Sequence, residues 1–155
     1  MAVRRLPDLL FALDGQIVKV SPLPWGERAW ARGPNIPYLL WFLTAVWAGV
    51  IFFVSSLTGS QVPSVMPDYI PHFAEYAVLA TLVWLSVRAT KKQLPPSLTG
   101  LWAICLTTIY AASDEFHQSF VSGRTPDVKD WAVDTLAALT LAAVLGYVTT
   151  RRSRK

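Results

Sequence analysis

The sequence predicts an all-α fold: a four-helix transmembrane bundle with both termini in the cytoplasm and a short juxtamembrane segment at the N-terminus. Three observations predict it. Of the 155 residues, 53% are hydrophobic and only 15% are charged, whereas an ordinary soluble domain carries about 25% charged residues. The apolar residues gather into four runs separated by Pro-rich or charged loops, which a soluble helical core rarely shows. The Lys and Arg residues avoid alternate loops, as the positive-inside rule demands of a multi-pass chain. The formal charge of +4 therefore reads as a topology signal. The basic residues sit in short blocks and not on one amphipathic face, so nucleic acid is excluded as a partner. The lone Cys105 rules out a disulfide scaffold and reads as a small packing residue facing lipid or a helix.

Residues 1–36 form the N-terminal segment. Its apolar stretch, Leu9 to Leu13, is too short for a signal-peptide core. Gln16-Ile17-Val18-Lys19-Val20 reads either as a short strand or as an interfacial stretch on anionic headgroups. The membrane domain is expected over 37–150, followed by a basic tail at 151–155. Helix 1, Tyr38 to Val54, holds 17 apolar residues, nearly a full span of a hydrocarbon core about 30 Å thick. It has no clear A-x-A exit and is expected to be an uncleaved anchor. Helix 2, Phe73 to Val87, follows Pro71 at a favourable first-turn position. Helix 3, Leu98 to Ala112, starts after the Pro95-Pro96 breaker, and helix 4, Trp131 to Val148, stops before Arg151-Arg152.

Twelve of the fourteen Lys and Arg residues fall before helix 1, between helices 2 and 3, and after helix 4; only Arg124 and Lys129 lie elsewhere. This asymmetry places both termini in the cytoplasm. The same topology gathers seven of the ten acids and both histidines on the outer face: Asp68, Glu75, Asp114, Glu115, Asp127, Asp130 and Asp134 with His72 and His117.

Spacing places these groups on shared faces. His72, Glu75 and Tyr76 are three and four residues apart on helix 2, Asp114 and Gln118 four apart on helix 3, and Asp130 and Asp134 four apart on helix 4. Glu75 and Asp134 fall in the upper membrane layer, where an ionisable group is costly unless it faces the bundle interior with partners. Capping and the helix dipole can account for Asp68 and Asp130 at the starts of helices 2 and 4. They do not account for Asp114 and Glu115 at a C-terminal end, so either helix 3 continues past them or another group neutralises them. Arg124, in the turn Ser122-Gly123-Arg124-Thr125-Pro126, is the expected carboxylate partner through its planar fork.

The string Asp114-Glu115-Phe116-His117-Gln118-Ser119-Phe120, followed by Arg124 and Asp130, resembles the VanZ-like family of bacterial membrane proteins, as does Asp68-x3-His72-x2-Glu75-Tyr76. The resemblance covers about Leu39 to Val148. It implies a polar signature at Asp68, His72, Glu75, Tyr76, Asp114, Glu115, Gln118, Arg124 and Asp130, a multi-pass protein of the bacterial cytoplasmic membrane, and a link to low-level teicoplanin resistance in the founding member. This chain departs from the pattern at Asp134, where asparagine is usual, and at Ala137-Ala138, where glycine is common. The family supplies no biochemical activity.

Three functions compete. In the first, the outer cluster binds or processes an amphiphilic or lipid-linked envelope substrate, with His72, Glu75, Asp114 and Glu115 as candidate catalytic groups. Asp68, Tyr76, His117, Gln118, Arg124, Asp130 and Asp134 would then bind the substrate. Glu75 would serve as general base with His72 or His117 as its partner. No G-x-S-x-G, P-loop or dinucleotide signature is present. No residue is assigned to a metal, since His-x2-Glu is weaker than His-Glu-x2-His; a metal variant would recruit His72, Glu75, Asp114 and His117. No cofactor is identified, the lipid bilayer is the one sure partner, and oligomeric state is left open. In the second reading the cluster is a satisfied structural network in a non-enzymatic scaffold. The third, a small-solute transporter, ranks lowest because the inner halves of the helices lack acids and histidines.

Overall fold

The computed structural model describes residues 10–13, 16–19, 35–61 and 69–153. The chain divides into two units, Met1–Ile36 and Pro37–Lys155. In the first, β1 (Leu10–Leu13) pairs antiparallel with β2 (Gln16–Lys19), with Leu10 opposite Lys19 and Leu13 opposite Gln16. The structure thus takes the strand reading of Gln16 to Lys19.

The second unit contains four helices: α1 (Ile36–Ser55), α2 (Tyr69–Thr90), α3 (Pro96–Gln118) and α4 (Val128–Ser153). All four expected helices form, and each is longer than its apolar run. Pro96 opens α3 at a first-turn position where a missing N–H costs nothing. At its other end α3 runs on through Asp114 and Glu115, so these two acids sit inside the last helical turns and not beyond them. Helix α4 begins at Val128 because the Asp127 carboxylate accepts the Lys129 amide at 2.8 Å, an N-cap bond. It continues through Arg151 and Arg152, whose charges complement the C-terminal dipole.

Three of the helices, α1, α2 and α4, are long and apolar enough to cross a membrane. Their packing is inverted relative to a soluble protein. Many buried positions hold small or weakly polar residues, among them Ala103, Ala111, Ala137, Ala138, Ser86, Thr99 and Thr107, beside a cluster of larger side chains that includes Ile51, Leu79, Val83 and Trp84. Large apolar side chains point away from the helices, including Phe42, Phe53, Ile109, Leu136 and Tyr147. Lipid offers those side chains a medium as apolar as a core, so small residues at the contacts, which let backbones approach closely, contribute to helix association alongside the buried cluster. Cys105 is exposed with them and not buried against a neighbouring helix. At Gly100 an added Cβ would stand 3.5 Å from that of Ala142, an ordinary contact between α3 and α4.

Helices α2, α3 and α4 pack closely on one another. Helix α1 is tied to them largely by side-chain hydrogen bonds: Thr44 Oγ1 with Ser86 Oγ at 3.0 Å, Trp41 Nε1 to Thr90 Oγ1 at 3.0 Å, Trp47 Nε1 to the Glu75 carbonyl at 3.0 Å, and Tyr110 Oη to the Ala48 carbonyl at 2.6 Å. These bonds bring the C-terminal ends of α1 and α3 beside the N-terminal ends of α2 and α4. The two connecting loops at this end touch as well, through the Gly59 amide donating to the Ser122 carbonyl at 3.3 Å. Gly123 adopts φ 76°, a left-handed conformation that glycine accepts without strain, and an added Cβ at Gly59 would collide with the Gly123 carbonyl.

Candidate functional site

The polar residues collect where those four helix ends meet. Asp114 is buried and accepts from Ser55 Oγ at 2.7 Å and from Gln118 Nε2 at 3.2 Å, both through Oδ2. The Gln118 bond is the i, i+4 pair the spacing predicts. The Tyr76 side chain is wholly buried, and its hydroxyl lies beside the Asp114 carboxyl. Neither Tyr76 Oη nor Asp114 Oδ1 has another partner among the described residues, so each is the other's nearest complement, one a donor and one an acceptor.

A second subcluster lies between α2, α3 and α4. His72 Nδ1 stands 3.3 Å from Asp134 Oδ1, and Asp134 is fully buried. Glu115 accepts the Asp127 amide at 3.0 Å through Oε2. Glu115 Oε1 and Asp134 Oδ2 are buried without a partner among the described residues. One ring nitrogen of His72, one carboxylate oxygen of Glu115 and one of Asp130 all lie within 4.8 Å of one another. Glu75 sits between the two subclusters, half-buried, with His72, Asp114, Asp134 and Arg124 as its charged neighbours.

His117 stands apart from this interior. Its ring stacks on Phe52 with centroids 4.3 Å apart, and Nε2 shares a hydrogen bond with Ser56 Oγ at 3.0 Å. The four residues named for a metal variant are therefore not brought together; His72 meets Glu115 and Asp130 instead. His72 and Glu75 stay charged neighbours on α2, while the imidazole makes its hydrogen-bond contact across to Asp134 on α4.

Arg124 corrects the sequence reading. Its Nε donates to the Leu57 carbonyl at 3.2 Å and an Nη to the Val54 carbonyl at 3.4 Å, and not to the Asp114-Glu115 element. The physical reason is the end of α1: the Val54 carbonyl, which also takes the Leu57 amide at 3.1 Å, and the Leu57 carbonyl just beyond it lie at the negative end of the helix dipole and have lone pairs to spare. Held against Gly59, the loop brings the guanidinium to those carbonyls first. Asp68 lies outside the described residues.

The sequence reading missed three contributors: Ser55, Ser56 and Asp127. Ser55 and Ser56 had one available signal, being the first polar residues after the apolar run of α1 and lying at the same end as the acids. Asp127 had the usual N-cap signal ahead of a helix, but its amide contact with Glu115 depends on the tertiary fold.

The family pattern of VanZ/LLP1 matches residues 40–149. The chain belongs to the VanZ/LLP1 family. The matched region takes in every residue of the polar end, from Ser55 to Asp134, and all four helices in whole or large part. No curated protein and no solved structure gives a significant match.

Proposed function

We propose that this VanZ/LLP1 protein crosses the bacterial cytoplasmic membrane four times, with both termini inside, and uses its outward-facing polar end to bind the head of an amphiphilic or lipid-linked envelope substrate. In this reading α3 is the fourth crossing, 23 residues long, with its two acids at the membrane surface and facing the bundle interior. The observation that carries the reading is the pair of buried oxygens Glu115 Oε1 and Asp134 Oδ2, neither of them partnered among the described residues. A purely structural network would satisfy its own members, since each unsatisfied buried acceptor costs about 1–3 kcal/mol. Carboxylates accept and do not donate, so they suit a head rich in hydroxyls or amines. The bilayer around the exposed apolar side chains delivers the tail of such a molecule to the same depth.

Native mass spectrometry of the full chain extracted into mild detergent tests this. A co-purifying amphiphile is expected on the wild type and is expected to be lost from Asp114→Asn and Glu75→Gln variants that melt normally. An identical bound-lipid profile in all three proteins would overturn the proposal. The resistance role that the family suggests has its own readout, teicoplanin susceptibility of a sensitive host expressing wild type or Asp114→Asn.

A further inference from the structure

We propose that His72, Glu115 and Asp130 form a binding site for one divalent transition-metal ion of the Zn2+ and Mn2+ class, with Asp134 as the group that orients the histidine. The proposal deepens the function proposed above and rests on it only for the site's purpose, since metal binding is measured independently of any substrate.

Three elements supply one donor each. His72 comes from the first turn of α2, Glu115 from the last turns of α3 and Asp130 from the first turn of α4. Their donor atoms lie within 4.8 Å of one another. Zinc bonds to nitrogen and oxygen run about 2.0–2.2 Å, which sets donors about 3.4 Å apart in a tetrahedron. Side-chain rotation closes the difference. One imidazole and two carboxylates are a mixed donor set, borderline in softness, and it suits Zn2+ or Mn2+ better than Ca2+ or Mg2+.

Two further observations point to a ligand here. Glu115 is 8% exposed; Oε2 is taken by the Asp127 amide and Oε1 has no partner among the described residues. A carboxylate held in place on one oxygen and left bare on the other is arranged as a ligand is, not as a structural acceptor is. The second observation is the Asp134 contact to His72 Nδ1. Metal-ligating histidines commonly donate their other ring nitrogen to a carboxylate, which fixes the tautomer and raises the basicity of the ligating nitrogen. With Nδ1 donated to Asp134, Nε2 is the nitrogen left for the ion. A divalent charge also resolves the electrostatics of the subcluster, where Glu115, Asp130 and Asp134 face one another with His72 the nearest positive group.

Three protein ligands leave coordination positions open, as catalytic and substrate-binding sites do. The open positions would face the same polar end as Glu75. An ion there would convert an acid-lined surface into one that accepts oxygen donors of a headgroup.

The test uses the full chain in detergent micelles, stripped with EDTA and dialysed. Co2+ is added as the spectroscopic probe, and Zn2+ or Mn2+ competes for the site. One equivalent of Co2+ per chain is expected, displaced by Zn2+ and unaffected by millimolar Mg2+ or Ca2+. Asp130→Asn is the informative variant because the Asp130 side chain makes no hydrogen bond among the described residues and its loss leaves the fold intact. It is expected to weaken Co2+ binding by more than about tenfold, and Asp134→Asn by about 10–100-fold. His117→Ala is expected to bind as the wild type does, which separates this site from adventitious histidine binding. Failure of the wild type to bind a stoichiometric ion, or wild-type affinity in Asp130→Asn, would overturn the proposal. Loss of the metal with the amphiphile still bound leaves the function reading standing, and metal bound without any amphiphile does the reverse.

Discussion

Arg124 shows how a single side chain chooses between partners of unequal cost. A surface pair with a carboxylate would have left the Leu57 carbonyl without this donor, while the bonds actually made serve it and give the Val54 carbonyl, which already takes the Leu57 amide, a second donor. Arg124→Lys keeps the charge and loses the fork that spans two acceptors. It is expected to lower stability in detergent by about 1.5–3 kcal/mol, read as a drop in melting temperature by circular dichroism. An unchanged melt would show the two bonds to be incidental. His72 and Glu75 are expected to behave differently from each other. His72→Ala would strip from a fully buried Asp134 its one side-chain hydrogen-bond partner among the described residues, and breaking a buried pair from one side costs about 3–5 kcal/mol. Glu75→Gln removes a charge from a half-buried side chain with no hydrogen bond among the described residues, so its melt is expected to stay at the wild-type value. Equal losses in the two variants would refute this division of roles.

At the scale of elements, two glycines give opposite expectations. Gly100 has room for a methyl group against Ala142, so Gly100→Ala is expected to stabilise α3, by about 0.5–1 kcal/mol from helix propensity. Gly59 has no such room, and Gly59→Ala is expected to part the two loops at the polar end. Proteolysis at 57–61 reads that directly, with faster cleavage expected than in the wild type. The small-residue face of α4 sets a third limit. Ala138 is completely buried, so Ala138→Leu would overpack the helix contact at a cost of about 1–3 kcal/mol. Helix existence was legible in the sequence because each apolar run is at least 15 residues long and is bounded by Pro or polar and charged residues, and the close α3–α4 approach had its trace in Gly100 and the alanines. Helix ends were less legible. A polar residue such as Asp114 ends a run in the sequence, yet it continues the helix when its carboxylate faces Ser55 and not lipid. That partner lies 59 positions away, and no local pattern encodes it.

At the scale of the molecule, the convergence of acids and histidines at one end was legible from charge sorting alone, and their division into an Asp114 subcluster and a His72–Asp134 subcluster was not. The division depends on rotations of α2 and α4 that leave Tyr76 and Ala137 facing inward. The proposed four crossings make their own expectation. In a Cys105→Ala background, cysteines introduced at Ser60 and Ser122, both exposed, are expected to react with an impermeant maleimide from outside intact cells, and one at Gln93 is not. Labelling at Gln93 from outside would reverse the orientation and place the polar end in the cytoplasm.

The contact between Gly59 and Ser122 also bears on how the chain is made. The ribosome delivers the α1–α2 loop long before its partner, and the intervening α2 and α3 must lie back to back before the two loops can meet. Until then Ser55 has no Asp114 to bond and the carbonyls of Val54 and Leu57 have no Arg124. The first helix therefore waits in its surroundings with its polar end unsealed until the end of α3 and the loop after it have emerged. The contacts that fasten the first helix and the Asp114 part of the cluster thus form together, ahead of the His72–Asp134 part, which needs α4 as well.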